Sequence, residues 1–162
     1  MKENTTTNRL IGGILMVLHP ELYDIGCNSL QKLHNFPEYV RNFQHLPGAL
    51  QDWNVPFNAL SVVSNRTTPW HRDTLGRKEW LELLVALGDY EDGRFELDGL
   101  NILFRYDPGC ILATSGKLFR HGAHCDGERA CLAYYMRDLV QERLGQPVVP
   151  WANIRMFDQM GN

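Results

Sequence analysis

The sequence has no long hydrophobic segment, no dense set of cysteines and no strong excess of either charge. Its longest apolar run near the N-terminus, residues 10–18, is too short to span a bilayer. The four cysteines show no C-x-x-C spacing, which argues against a zinc ribbon or a disulfide framework and favours reduced thiols. No secretory signal is evident, so we expect an intracellular protein without membrane association, in the cytosol or the nucleus.

The charge and size set further bounds. The formal charge of −3 does not predict general affinity for nucleic acid, although a local basic surface can exist within such a sum. Six basic residues do gather in sequence around the motifs discussed below: Arg66, Arg72, Arg77, Lys78, Lys117 and Arg120. With 162 residues, 44% of them hydrophobic, and no repeat or linker, the chain is predicted to form a single domain over residues 1–162.

The apolar pattern changes in character near residue 57. Before it, residues 10–18 are predicted to form a buried strand, residues 22–33 a helix, and residues 45–56 a connecting loop. After it, short apolar segments alternate with turn residues, which predicts strands at 59–64, 80–87, 94–97, 102–106, 110–114, 117–121 and 129–137. A turn is predicted at 88–93, a loop at 123–127 and a helix at 139–144. This order predicts a mainly β (α+β) fold, a double-stranded β-helix (jelly-roll) barrel with N-terminal helices packed outside.

Two histidines, one aspartate and one arginine form the most informative pattern. His71 and Asp73 make an H-x-D tripeptide, His121 follows forty-eight residues after Asp73, and Arg129 follows eight residues later. Two imidazoles and a carboxylate on one face leave three positions of a non-haem Fe(II) ion open. An arginine can hold a carboxylate through two parallel hydrogen bonds, and 2-oxoglutarate ends in one. The pattern predicts an oxygenase that uses Fe(II), 2-oxoglutarate and O2.

Several positions have alternatives. The H-x-D tripeptide alone would also suit a turn, but the downstream histidine and arginine favour a metal site. His124 competes with His121 as the third ligand, and Arg137 is a weaker rival of Arg129. Asn65, or a hydroxyl such as that of Ser64, could contact 2-oxoglutarate, although roles in a turn or strand end are equally consistent.

The chain resembles the TET/JBP family of Fe(II)/2-oxoglutarate dioxygenases, and most of all the compact type found in mushroom-forming fungi. The resemblance runs from Arg9 to about Trp151. Its most specific stretches are Ser64-Asn-Arg-Thr-Thr-Pro-Trp-His-Arg-Asp73, Tyr106-Asp-Pro-Gly109, and the segment from Gly127-Glu-Arg129 to Met136-Arg-Asp138.

The resemblance implies oxidation of the methyl group of 5-methylcytosine in DNA to hydroxymethyl, and the same chemistry can continue to formyl and carboxyl; in the JBP branch the thymine methyl is attacked instead. It implies that His71, Asp73 and His121 hold Fe(II) and that Arg129 holds the distal carboxylate of 2-oxoglutarate. It also implies that an aromatic residue six positions after the arginine, here Tyr135, stacks on a flipped base. Alternation along a strand leaves either Tyr134 or Tyr135 to pack in the core.

The chain departs from the family in two respects. Gly76 stands where TET enzymes have an asparagine near the base, and the large cysteine-rich DNA-binding region of animal TET proteins is absent from the sequence. The nucleus is the expected compartment, with the cytoplasm as the alternative. Competing functions are the same chemistry on another methylated base, on a protein or on a small molecule, and an inactive barrel that binds DNA or a partner.

Overall fold

A computed structural model describes residues 2–40, 43–65 and 68–153. The chain divides into two compact units, residues 1–58 with 136–162 and residues 59–135, and each is described by itself. The single-domain organisation and the packing of helices outside the barrel stay predictions.

The first unit is helical. Its α-helices within the described residues are α1 (Thr5–Leu18), α2 (Pro20–Asn35), α3 (Leu46–Asp52) and α4 (Asp138–Arg143), and short 3-10 helices cover Lys2–Asn4, Pro37–Tyr39 and Phe43–His45. Pro20 lies in the first turn of α2, where its missing N–H costs nothing. The two ends of the unit are joined because Ser29 donates a hydrogen bond to Gln141 and Lys32 Nζ donates to Leu144 O at 2.6 Å.

The strand predicted at residues 10–18 is wrong, because this segment belongs to helix α1. The buried positions of α1 are Asn8, Ile11, Gly12 and Leu15, whereas Leu10 and Val17 are exposed. Spacings of three and four residues mark one face of a helix. The helical period was not visible in the sequence, because residues 10–18 form a continuous apolar run and such a run fits a buried strand equally well. The loop predicted at residues 45–56 is also wrong in part, because it contains α3.

In the described residues of the second unit, six strands form an antiparallel sheet: β1 (Ala59–Ser64), β2 (Thr68–His71), β3 (Glu82–Leu97), β4 (Ile102–Arg105), β5 (Ile111–Thr114) and β6 (His121–Tyr135). The long strands β3 and β6 pair along most of their length. The other edge of β6 pairs with β1 and β2 in turn, and the other edge of β3 pairs with β5 and β4. The sheet is therefore jelly-roll-like, as predicted.

The predicted turn at 88–93 and the predicted loop at 123–127 are wrong, because β3 and β6 run continuously through them. Gly88 and Gly93 instead allow the backbone of a neighbouring strand or loop to approach closely. A Cβ on Gly88 would lie 2.1 Å from Glu128 O, and one on Gly93 would lie 2.2 Å from Tyr106 O. The strand predicted at 117–121 is also wrong, because residues 117–120 lie outside the strands and β6 begins only at His121.

The core of the sheet unit is built from alternate residues of the long strands. Leu84, Ala86 and Phe95 are buried together with Tyr106, and the rings of Phe95 and Tyr106 meet edge to face at 5.7 Å. Cys27, Cys110, Cys125 and Cys131 all lie within the described residues, and none of them forms a disulfide there. Among the described residues, no helix combines the length and the apolar character needed to cross a bilayer.

Candidate active site

Strand pairing brings the two histidines of the sequence motif together. His71 is the last residue of β2 and His121 is the first of β6, and their Cα atoms are register partners in the antiparallel pair. Asp73 follows two residues after β2, and its N–H donates to Gly116 O at 3.0 Å. The register of β2 against β6 thus brings together two histidines that are 50 positions apart in the sequence.

The three side chains form a compact group, called the metal cluster below. His71 Nε2 lies 3.5 Å from Asp73 Oδ1, and His121 Nε2 lies 3.6 Å from Asp73 Oδ2. One potential ligand atom from each residue lies within 4.8 Å of the others, and this is the only such group of three or more histidine, cysteine or acidic side chains within the described ranges. His121 is buried, while His71 and Asp73 are half-exposed.

The Nδ1 atoms of both imidazoles, which face away from Asp73, hydrogen-bond to backbone carbonyl oxygens. His71 Nδ1 lies 2.9 Å from Pro69 O, and His121 Nδ1 lies 3.0 Å from Phe119 O. A carbonyl oxygen only accepts, so each Nδ1 carries the proton and each Nε2 keeps its lone pair for a metal. Burial lowers the pKa of His121, which favours the neutral, ligating form. Phe95 stacks on the His121 ring at 5.3 Å.

This donor set fits Fe(II). Two neutral imidazole nitrogens and one carboxylate on one face are the ligands that non-haem Fe(II) oxygenases use, and they leave positions for a co-substrate and O2. The backbone hydrogen bonds at both Nδ1 atoms are the outer support that metal-ligating histidines commonly have.

The metal cluster opens into a cavity of about 400 Å³ that also reaches Arg129 and Tyr135. Arg129 is buried, its Nη2 donates to Thr68 Oγ1 at 3.4 Å, and its guanidinium carbon lies 6.0 Å from the centre of the Tyr106 ring. A buried guanidinium in a cavity of this kind suits a carboxylate ligand. The rest of the lining is largely apolar and includes Leu84, Phe95 and Ala133.

Asn65 supports Arg129 through the backbone. Its Oδ1 accepts from Arg129 N at 2.9 Å, and its own N–H donates to Arg129 O at 2.7 Å. Asn65 has a φ of +48°, a conformation that asparagine tolerates better than most residues. Its side chain is exposed and does not line the cavity, so its contact with 2-oxoglutarate stays a prediction.

The two adjacent tyrosines separate as strand alternation requires. Tyr134 is fully buried, and Tyr135 lies on the cavity wall with its hydroxyl 3.2 Å from Ser61 Oγ. The rival residues lie elsewhere: His124 is exposed and lies 3.8 Å from Asp126, while Ser64 and Arg137 are exposed and do not line the cavity.

Glu82 is a cavity residue that the sequence reasoning missed. It is buried, it lines the cavity, and its side chain hydrogen-bonds Asp73. Burial and then the negative charge of Asp73 raise the pKa of Glu82 to about 8. A single acidic residue within the apolar run 80–87 was the available signal, because a carboxyl buried in a strand requires a hydrogen-bonding partner.

Comparisons with known proteins agree with this arrangement. Residues 1–138 match the Tet_JBP family model, described as the oxygenase domain of the 2OGFeDO superfamily. The chain is also similar to a solved structure, NgTET1 in complex with 5mC DNA, with a TM-score of 0.50 and 18% identity. That match covers 78% of this chain and 48% of the NgTET1 chain, so this chain spans about half the length of that relative.

At this identity the likeness to NgTET1 shows a shared fold. No curated protein matches the chain. The family match covers most of the chain and includes every residue of the metal cluster, as well as Arg129 and Tyr135. The chain belongs to the TET/JBP family and is an oxygenase domain of the Fe(II)/2-oxoglutarate dioxygenase superfamily.

Proposed function

We propose that this oxygenase oxidises the methyl group of 5-methylcytosine in DNA to hydroxymethyl. The observation that carries the proposal is that the metal cluster, Arg129 and Tyr135 line one cavity. A metal site, a cation for a co-substrate and an aromatic surface for a base are thereby held together, in a chain of the TET/JBP family. The 5mC DNA bound in the NgTET1 complex supports the choice of base.

The roles of the residues follow from their contacts. His71, Asp73 and His121 would hold Fe(II), which together with 2-oxoglutarate and O2 supplies hydroxylation of an unactivated methyl group. Arg129 would bind the distal carboxylate of 2-oxoglutarate and fix the co-substrate in one orientation. The apolar part of the lining would limit the access of water to the reacting groups once substrate is bound.

A base within a duplex does not reach a cavity, so the enzyme must flip it out of the stack, at a cost of roughly a few kcal/mol. Tyr135 offers a ring on the cavity wall for the flipped base. Several exposed side chains lie close in sequence to the residues of the metal cluster and are suited to contact the DNA strand on either side of the flipped base. Trp70 is 42% exposed, and Arg72, Lys78, Lys117 and Arg120 are exposed. Arg66 lies outside the described residues. Basic and aromatic groups of this kind contact phosphates and bases.

The test is nucleoside mass spectrometry on duplex DNA that carries 5-methylcytosine, after incubation with the purified chain, Fe(II), 2-oxoglutarate and ascorbate. We expect 5-hydroxymethylcytosine, with no product when 2-oxoglutarate is omitted or when His71→Ala/Asp73→Ala replaces the wild type. Parallel reactions contain the same duplex with thymine or with another methylated base at the target position.

Product from another base alone would contradict the choice of 5-methylcytosine and keep the oxygenase chemistry. Absence of product from every DNA, together with succinate formation from 2-oxoglutarate, would point to a protein or small-molecule substrate. Absence of both from folded, iron-loaded protein would point to an inactive barrel.

A further inference from the structure

We propose that Glu82 is a positioning residue of the metal centre, which orients the carboxylate of Asp73 through a carboxyl–carboxyl hydrogen bond and thereby raises the affinity of the site for a divalent metal. The inference depends on Asp73 as a ligand and not on the identity of the DNA base. It can therefore fail or hold independently of the proposed substrate.

The position of Glu82 in the fold carries the first part of the argument. Glu82 begins β3 and pairs with Thr114 of β5, and the residue is only 8% exposed. It is the only ionisable residue between Leu81 and Leu87, a segment that is otherwise entirely apolar. A carboxyl buried at such a position loses its hydration, and a strong hydrogen bond must replace it. The partner is Asp73.

Gly116 shows how closely the two carboxyl groups approach. A Cβ on Gly116 would lie 2.0 Å from Asp73 Oδ2 and 2.7 Å from Glu82 Oε2. Both carboxyl groups therefore occupy the space left by the missing side chain. Gly116 O also accepts the backbone N–H of Asp73 at 3.0 Å, so backbone and side chain of the ligand are held from the same side.

Asp73 needs such support more than the two histidines do. Each histidine is oriented by a hydrogen bond from its own Nδ1 to a backbone carbonyl. Asp73 lies beyond the end of β2, and its side chain is 36% exposed. The hydrogen bond from Glu82 fixes the orientation of the Asp73 carboxylate, just as the backbone carbonyls fix the orientation of the two imidazoles. Removal of such an outer partner typically costs about 10- to 100-fold in metal affinity.

The chemistry of the bond separates two roles for Glu82. One proton lies between two carboxyl groups that hydrogen-bond, and an amide at position 82 can donate to Asp73 in the same way. A direct metal ligand would require an oxygen anion at position 82, whereas a positioning residue requires only a donor that reaches Asp73. Glu82→Gln keeps the donor, Glu82→Asp shortens its reach, and Glu82→Met removes it at similar volume.

The experiment is a titration of the metal-free full chain with Co(II), followed by the visible absorption band of the bound ion and by calorimetry, without 2-oxoglutarate or DNA. We expect Glu82→Gln to bind Co(II) within about threefold of wild type, and Glu82→Asp and Glu82→Met to bind about 10- to 100-fold more weakly with a shifted band. Glu96→Gln and Glu96→Met, on the same strand but away from the cavity, should match the wild type.

Wild-type affinity in Glu82→Asp would overturn the proposal. Equal losses in Glu82→Gln and Glu82→Met would also overturn it, because the carboxylate itself would then be required. Circular dichroism of each metal-free variant establishes that it is folded. If Glu82→Met does not fold, the contrast between Glu82→Gln and Glu82→Asp decides the question.

Discussion

Asp73 Oδ2 lies only 2.0 Å from the position that a Cβ atom on Gly116 would occupy. The glycine is therefore part of the metal cluster's geometry, although it offers no ligand atom. Its backbone oxygen holds the N–H of Asp73, and its missing side chain leaves room for the carboxylate.

Gly116→Ala should weaken Co(II) binding by at least about tenfold, because the new methyl group must displace the carboxylate of Asp73 from its position between the histidines. Calorimetric titration of the metal-free protein measures the change. Gly13→Ala is the control: apart from its chain neighbours and the backbone of its own helix, no atom of the described residues lies within 4 Å of the added Cβ, and alanine is the better residue inside helix α1. Equal affinities in the two variants would contradict the expected clash.

His121→Ala should abolish tight metal binding, whereas His124→Ala should bind Co(II) as the wild type does. His121 Nε2 lies 3.6 Å from Asp73 Oδ2, while the side chain of His124 is 61% exposed and pairs with Asp126. The same titration compares the two variants. Loss of binding in His124→Ala would show that the third ligand has been assigned to the wrong histidine.

Arg129→Lys should raise the KM for 2-oxoglutarate by about 10- to 100-fold and leave Co(II) affinity unchanged. Lysine keeps the charge but loses the paired hydrogen bonds that a guanidinium gives to a carboxylate. Initial rates of succinate formation at varied 2-oxoglutarate provide the measurement. Arg137→Lys, at an exposed position that does not line the cavity, should keep the wild-type KM; a rise in the KM of this variant would favour Arg137 as the anchor.

The stability of the metal-free protein should fall as the pH rises from about 5 to about 8. Burial and the charge of Asp73 raise the pKa of Glu82 from 4.5 to about 8 in the folded state. Over that interval the folded state binds more protons than the unfolded state, so stability decreases with pH. The contribution is complete below pH 4.5 and is lost as the pH passes about 8.

Thermal unfolding at a series of pH values tests this expectation. The side chain of Glu82→Gln does not ionise, so the stability of this variant should change less with pH over the same interval. The stability of Glu96→Gln should depend on pH as that of the wild type does. Identical profiles for the wild type and Glu82→Gln would show that the pKa of Glu82 is not raised in the fold.

Tyr135→Ala should reduce turnover on methylated duplex DNA by about ten- to a hundredfold, since stacking of a base on an aromatic ring contributes about 1–3 kcal/mol. Tyr135→Phe keeps the ring and loses only the hydroxyl that lies 3.2 Å from Ser61 Oγ, so it should retain most activity. Single-turnover product formation compares the variants. If the phenylalanine variant is as impaired as the alanine variant, the hydroxyl and not the ring would be the important group.

Much of the local structure could be predicted where the apolar pattern had one interpretation. Strand β1 (Ala59–Ser64) was predicted with its observed bounds, and helices α2 and α4 were predicted within a few residues. The errors share a physical cause. A short apolar run fits a strand or a buried helix, as in α1, and a glycine permits either a turn or a close backbone approach, as at Gly88.

The sequence alone determined the candidate chemistry, because two histidines, an aspartate and an arginine carry their ligand and carboxylate-binding properties wherever they lie. Only the tertiary structure decided how those groups meet. The register of β2 against β6 places His71 opposite His121, and the pairing of β3 with β5 carries Glu82 toward Asp73 over Gly116. Contacts between strands so distant in sequence leave no local pattern, since they depend on which edges pair and not on which residues are neighbours along the chain.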